Sequence, residues 1–241
     1  MARALISKNA TKSVYRDGDK AVKVFCKGFP KAEVLNEALI SARVEAIGGI
    51  NIPSVQAVSV EEDGCWSITR DYIEGKTLTE LMKENPDKRD EYLNQMVELQ
   101  LMIHSKTCPL LNKLKDKMAR QISEMEELDP VNRYDLLTRL DSTPKHIKLC
   151  HGDFQPDNII VKEDGTMYVV DWVHATQGNA SADVARTYLL FCLSDQAAAD
   201  NYRNSYGILI GQKPEVSYGY TQIAPEHLKG SADSEHPGEE A

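Results

Sequence analysis

The chain has 241 residues, with 37 acidic and 28 basic side chains and a net charge of −9. That length carries one large domain or two small lobes with a core that needs no metal or disulfide staple. The acidic balance disfavours nucleic-acid binding, no apolar run approaches the ~20 residues that cross a bilayer, and Met1–Lys8 lacks the apolar stretch of a signal peptide, so a cytoplasmic protein with no membrane partner is expected.

In chain order, the first third reads as strands with one helix. Val14–Tyr15, Ala21–Phe25, Val55–Val60 and Cys65–Ile73 carry β-branched or aromatic residues between turn signals. Arg16-Asp17-Gly18-Asp19 and Glu61-Glu62-Asp63-Gly64 offer the Asp and Gly that hairpin turns favour. Between them, Lys31–Ile47 repeats Val34, Leu35, Ala38, Leu39 and Ala42 at helical spacing, after Pro30 and before Gly48-Gly49. A small sheet with one helix inserted after its third strand is expected. The pattern changes near Glu74-Gly75-Lys76. Thr77-Leu78-Thr79-Glu80 is a capping-box signature. Asp90–Ser105 predicts a long amphipathic helix with Tyr92, Leu93, Met96, Val97, Leu101 and Met102 on one face, and helices over Asn112–Leu128 and Arg133–Leu140 follow. Asn158–Val161 and Met167–Val170 predict two short strands, and Ala180–Ile210 is helical again. The five cysteines are scattered and never spaced C-x-x-C, which argues against a disulfide framework or a zinc site. The tail from Gly230 is polar and acidic and is expected to be disordered.

The chemistry is concentrated in Cys150-His151-Gly152-Asp153-Phe154-Gln155-Pro156-Asp157-Asn158-Ile159-Ile160-Val161, a turn bearing Asp and Asn that leads into an apolar strand. A second acid, Asp171, ends the next strand thirteen residues after Asn158, enough for two short strands and a tight turn. Antiparallel pairing would set Asn158 beside Asp171, and an amide oxygen with a carboxylate makes a hard oxygen site suited to Mg²⁺. Asp153 sits just before them on a loop.

This series resembles the aminoglycoside phosphotransferase family of the protein-kinase-like superfamily. His151-Gly152-Asp153 with Asn158 resembles the kinase catalytic loop H-R-D-x-x-x-x-N with Gly in place of Arg, and Asp171 resembles the Asp of D-F-G, although Trp172-Val173 follows it. The resemblance, over roughly residues 5–195, implies an α+β, protein-kinase-like two-lobed fold: a nucleotide-binding lobe over 1–74, a mainly helical catalytic and substrate lobe over 75–228, and a tail over 229–241. It implies ATP and Mg²⁺ as cofactors, Asp153 as the catalytic residue that accepts or orients the proton of the acceptor hydroxyl, and Asn158 and Asp171 as metal ligands. Lys20-Ala21-Val22-Lys23 resembles V-A-I-K, so Lys23 is expected at the phosphates, with Glu37 on the helix orienting it in preference to Glu33. Alignment on Gly75 assigns the carbonyl of Asp71 and the N–H of Ile73 to the adenine edge. Ala182-Asp183-Val184-Ala185-Arg186 resembles a segment whose Asp183 braces the catalytic loop, and His151 and His104 are expected to be structural. The glycine-rich phosphate loop is replaced by Ser7-Lys8-Asn9-Ala10-Thr11-Lys12-Ser13.

Asp171 and Asp183 are only twelve residues apart, with no A-P-E between them to dock a peptide. A small hydroxylated acceptor is therefore expected: aminoglycoside-like, an amino alcohol or a sugar. Glu124, Glu126, Glu127 and Asp129 form a candidate acidic cluster for a polycation. Two other readings stand beside this one: an inactive kinase-like nucleotide-binding regulator, motivated by the missing glycine loop, and a metal-dependent phosphoesterase built on His151, Asp153 and His174.

Overall fold

The computed structural model of the chain describes residues 3–209; the expected tail over 229–241 lies outside them. The fold is α+β and two-lobed. Five antiparallel strands, β1 (Ala4–Lys8), β2 (Lys12–Asp17), β3 (Lys20–Phe25), β4 (Val55–Val60) and β5 (Trp66–Asp71), form a sheet in the order β1-β2-β3-β5-β4. The β2–β3 hairpin turns through Gly18 at φ +63°, a conformation open to glycine. Helix α1 (Lys31–Glu45) follows the third strand, as the sequence predicts, and packs Val34 and Ala38 on Phe25 and Ile68 of the sheet.

The buried face of α1 differs from the expected one. Leu35 and Leu39 are exposed, while Val34, Glu37, Ala38, Ile40, Ser41 and Val44 point inward. The inward face contains a carboxylate and a hydroxyl because the sheet opposite presents cations, described below.

After β5 the chain enters the second lobe. Gly75 passes so close to Val161 that a Cβ there would lie 2.4 Å from the Val161 carbonyl oxygen. A short strand β6 (Lys76–Thr77) leads into α2 (Leu78–Glu84), where Thr77 and Glu80 form the expected capping box. Helix α3 (Arg89–His104) buries Leu93, Met96, Val97, Gln100, Ile103 and His104, whereas Met102 is turned outward. Gln100 accepts the hydroxyl of Tyr202. The next helices are shorter than expected on one side and longer on the other. α4 spans Leu114–Glu124, and α5 spans Pro130–Ser142, started by the Asp129 side chain accepting from the N–H groups of Val131 and Asn132. Pro130 at the first helical position reinforces that start.

Strands β7 (Lys148–Cys150), β8 (Ile159–Val161), β9 (Met167–Val169) and β10 (Thr176–Gly178) then build two small sheets, β6-β8-β9 and β10-β7. Helix α7 (Gln196–Leu209) packs against both α3 and the preceding α6 (Ala180–Ser194). The main core runs through Leu78, Leu93, Met96, Val97, Ile103, Leu149, Phe154, Ile159, Val169, Trp172 and Tyr202, and includes Ile40 and Val44 of α1. α1 thus touches both cores, and it also packs on the turn that follows Asp171.

Candidate active site

Two groups of side chains meet where α1, β3 and the β8–β9 hairpin converge. The first is centred on Lys23. β3 alternates its side chains, so Lys23 shares a face with Phe25, which packs on α1. The Lys23 Nζ lies 2.7 Å from Glu37 Oε1 and 3.0 Å from Asp171 Oδ1. Glu37 also receives Arg70 Nη2 at 2.8 Å, and Arg70 reaches Ser41 Oγ at 3.3 Å. Glu33, the rejected alternative, is exposed. Burial pulls the Lys23 ammonium below its usual range, and the attraction of Asp171 and Glu37 offsets only part of that. Burial raises the Asp171 carboxyl, but Lys23 and Lys12 outweigh it and hold Asp171 well below the usual carboxylate range.

Lys12 was not singled out by sequence reasoning. Its Nζ lies 3.2 Å from Asp171 Oδ2. It opens β2 directly after the three-residue loop that stands where a glycine-rich loop was missing. That loop is closed by its own side chain: Asn9 Oδ1 accepts from the N–H groups of Thr11 (3.0 Å) and Lys12 (2.9 Å). The sequence signal was a lysine at the start of a strand opposite the expected phosphate site.

The second group is the loop after β7. Gly152 has φ +80°, and a Cβ there would sit 2.5 Å from the His174 carbonyl oxygen. Both facts require glycine where the kinase loop has Arg. Asp183, at the start of α6 and fully buried, accepts the N–H of Gly152 on Oδ1 (2.7 Å) and the N–H of His151 on Oδ2 (3.1 Å), with His104 Nε2 at 3.0 Å. The bracing role expected of Asp183 is therefore what its contacts do. Burial raises the Asp183 carboxyl, yet the bonds and charge of His104, with help from His151 and Gly152, hold it below its usual range.

His151 is fully buried between Trp172 and Phe154. Its Nδ1 accepts the N–H of Asp153 at 3.2 Å, so its Nε2 donates to the Val170 carbonyl at 3.0 Å. With both ring nitrogens spent internally it cannot ligate a metal, which removes the phosphoesterase reading built on it. Asp153 itself is half-buried. Its Oδ2 accepts from Asn158 Nδ2 (3.1 Å) and Gln155 Nε2 (3.1 Å), and Arg186 Nη2 stands 3.4 Å from Oδ1.

The β8–β9 hairpin pairs Ile159 with Val169, and the Val170 N–H bonds to the Asn158 carbonyl at 2.9 Å. This sets Asn158 opposite Val170, one residue short of the Asn158–Asp171 pairing expected from the thirteen-residue spacing, because the strands begin at Ile159 and end at Val169. Asn158 spends its amide nitrogen on Asp153, which leaves the amide oxygen free of those bonds. Asp171 is the one described non-glycine residue in left-handed backbone, at φ 61° and ψ 54°. Trp172 follows it into a buried 3-10 turn and donates Nε1–H to Val169 O at 3.0 Å, so Trp fills the hydrophobic position after the acid.

At the end of β5, the Asp71 N–H is bonded to Ser54 O, and the Asp71 side chain is held by Lys20 and Gln56. Ile73 lies two residues beyond, and its N–H has no backbone partner among the described residues. Among the described residues no hydrogen bond or ion pair joins the acidic cluster to the catalytic loop. Asp129 is committed to capping α5, and Glu124, Glu126 and Glu127 are exposed around the α4–α5 connection. Basic residues that the sequence reading left without a role lie closer: Lys117 on α4, whose Nζ is 3.2 Å from the His174 carbonyl oxygen, and Arg186 on α6.

Comparison with known proteins agrees with this geometry. A family model described as "Phosphotransferase enzyme family" (APH) matches residues 4–220. The fold is similar to a thermostable mutant of aminoglycoside phosphotransferase APH(4)-Ia in its apo form (TM-score 0.67, 14% identity, covering 96% of this chain and 87% of that one). A ternary complex of the same enzyme with AMP-PNP and hygromycin B gives a TM-score of 0.65 at 16% identity, covering 92% and 83%. A choline/ethanolamine kinase family protein from Mesorhizobium loti gives 0.60 at 16% identity, covering 92% and 76%. No curated protein matches the sequence significantly. At these identities the structures speak for the fold, while the family model spans nearly all of the sequence, and the chain belongs to the APH phosphotransferase enzyme family.

Proposed function

We propose that this protein transfers the γ-phosphate of ATP to a hydroxyl of a small molecule. The observation that carries the reading is the position of Lys23 Nζ, bonded at once to Glu37 and to Asp171. Three residues read from separate motifs, the farthest 148 positions apart, converge on one ammonium group.

In this reading residues 1–74 form the nucleotide lobe and 75–228 the catalytic and substrate lobe. Asp71 O and Ile73 N–H face the adenine edge. Lys23, fixed by Glu37, donates to phosphate oxygens, and Arg70 keeps Glu37 in place. The donor set fits Mg²⁺: Asp171 is held anionic, and the Asn158 amide is turned by its own bonds so that its oxygen stays available. Mg²⁺ at these two residues would neutralise charge on the phosphates. Asp153 orients the acceptor O–H and takes its proton as the acceptor oxygen bonds to the γ-phosphorus. The bond from γ-phosphorus to the bridging oxygen breaks, and ADP leaves with that electron pair. The cytoplasmic location expected from the sequence is part of the proposal.

One observation favours the alternative of an inactive nucleotide-binding regulator: Lys12 lies on the Asp171 carboxylate that would meet the metal. Turnover decides between them. Purified protein with Mg²⁺ and ATP is tested against aminoglycosides, amino alcohols and sugars. Acceptor-dependent ADP release that falls about 10²–10⁴-fold in Asp153→Asn, and disappears in Asp171→Ala, supports the phosphotransferase. Full turnover in either variant would sink the assigned mechanism, and ATP binding without turnover would favour the regulator.

A further inference from the structure

The charge around Asp153 is the reverse of what a polycationic acceptor requires. Lys117 is half-buried on α4 and donates to the His174 carbonyl oxygen at 3.2 Å, with His174 Nδ1 at 3.5 Å. That same carbonyl presses against Gly152, the neighbour of Asp153. Arg120 follows Lys117 by three residues, so it shares the same helix face. Arg186 enters from α6, three residues after the Asp183 that fixes the loop, and stands 3.4 Å from Asp153 Oδ1. Lys117 and Arg120 on α4 thus gather with Arg186 on α6 beside the catalytic loop, where Arg186 pairs with the Asp153 carboxylate.

Among the described residues neither Lys117 nor Arg120 has an ion pair with a carboxylate, whereas nearby Lys115 reaches Asp141 at 3.3 Å and Lys12 reaches Asp171 at 3.2 Å. No acid stands at the three- or four-residue spacings from Lys117 along α4: those positions are Lys113, Leu114, Arg120 and Gln121. Asp183 cannot serve, since its oxygens are occupied by backbone N–H groups and His104. Burial, followed by the repulsion of Arg186 and Arg120, makes the Lys117 ammonium harder to keep charged, and the attraction of Asp153 and Asp183 offsets only part of that. A half-buried cation with cationic neighbours is costly unless an anion completes the site. Asp116 and Glu124 stand four residues before and after Arg120 on α4, yet neither forms an ion pair with it among the described residues. Glu124 is seven residues beyond Lys117, about 10 Å along the helix axis, and is exposed.

We propose that the acceptor carries an anionic group, a carboxylate or a phosphate monoester, held by Lys117 with Arg120 and Arg186 while its hydroxyl faces Asp153. The inference rests on the phosphotransferase reading and narrows its substrate to hydroxylated anions, at the expense of aminoglycosides and other polycations. Arg186 has two tasks in it, since it touches both the anion and Asp153. Lys117 and Arg120 have one.

The test uses the whole chain with Mg²⁺ and ADP present, and measures by calorimetry the binding of four matched probes: D-gluconate, D-glucose 6-phosphate, D-glucose and D-glucosamine. At least one anionic probe is expected to bind about ten-fold or more tightly than the neutral and cationic sugars, the size of a charge-assisted contact. Gluconate alone names a carboxylate, and glucose 6-phosphate alone a phosphate. Lys117→Met keeps the apolar stem and removes most of that preference. Arg120→Gln, at an exposed position that cannot disturb the core, removes part of it, and thermal melting confirms that both variants are folded. Equal or tighter binding of glucose or glucosamine, an anion preference unchanged in both variants, or no binding of either anion would overturn the proposal. Separately titrated Mg²⁺–ATP reports on the phosphotransferase reading itself. Failure to bind ATP would remove that reading whatever the anions do, whereas ATP binding without anion preference removes only the narrower claim.

Discussion

Replacing Asp183 with Asn keeps the shape of the side chain and changes what its two outer atoms can accept. In the native protein Oδ1 takes the Gly152 N–H at 2.7 Å, and Oδ2 takes the His151 N–H at 3.1 Å with His104 Nε2 at 3.0 Å. An amide has one acceptor and one donor. If its oxygen stays on Gly152, its NH₂ group faces the His151 N–H, donor against donor. The His104 contact is recoverable, because the imidazole can move its proton to Nδ1, where the Tyr206 hydroxyl stands 3.4 Å away. A backbone N–H has no second form. One buried N–H left without an acceptor costs about 1–3 kcal/mol, and loss of the charge on the Gly152 bond adds about 1 kcal/mol. Asp183→Asn should therefore cost about 2–4 kcal/mol. Asp183→Ala abandons both N–H groups and His104, and should cost about 3–6 kcal/mol, a large part of the 5–15 kcal/mol that holds a typical domain folded. Urea denaturation of the three proteins measures this directly. Because His151 and Gly152 immediately precede Asp153, turnover of the folded Asn variant should also fall while its affinity for ATP changes little. A cost for Asp183→Asn below about 0.5 kcal/mol, or an Ala variant no worse than the Asn variant, would refute the reasoning that Asp183 acts as a two-oxygen acceptor.

Two other outcomes follow from buried charge. Glu37→Gln leaves Lys23 and Arg70 close together without their shared carboxylate; breaking such a buried arrangement should destabilise by about 3–5 kcal/mol, and the folded fraction should show a raised KM for ATP in steady-state assays. Burial, only partly opposed by the charges of Asp183, Asp153 and Asp171 and the bond to Val170, holds the His151 imidazole below the unfolded value of about 6.5. Below that pH the unfolded chain binds a proton that the native protein refuses, so the stability tied to His151 is present in full above about pH 6.5 and is lost as pH falls, by up to about 1.4 kcal/mol per pH unit. Urea midpoints that do not decrease between pH 7 and pH 5.5 would contradict this.

Much of the site was legible because its parts are local. The loop from His151 to Asn158 and the hairpin to Asp171 lie within twenty-one residues, and a hairpin fixes which residues become neighbours. Lys23 and Glu37 were legible one step further away, through a strand that alternates and a helix that follows it. β1 was not assigned, and every residue of it is exposed, so it has no alternation to read. The start of α5 was missed because Asp129 was counted as a charge when it is a cap.

The remaining errors share one cause. Apolar periodicity equates the inward face of a helix with its greasy face. On α1 it selected Leu35 and Leu39, which are exposed, and passed over Glu37 and Ser41, which are buried because Lys23 and Arg70 lie opposite. On α3 it selected Met102 and passed over Gln100 and His104, which are buried because Tyr202 and Asp183 lie opposite. In both helices the pattern fails where a polar residue is drawn inward by a partner more than ten residues away in sequence, and Lys23, Arg70 and Asp183 among those partners belong to the site or brace it. Lys117, Arg120 and Arg186 extend the same point to the surface. They come from two helices, none marks a periodic face, and only the fold brings Arg186 onto Asp153 and Lys117 onto the His174 carbonyl beside it. A polar residue on the buried face of an otherwise apolar helix is thus a better pointer to this site than the apolar residues that define the helix, and it is the signal by which His104 and Gln100 could have been tied to the catalytic loop from the start.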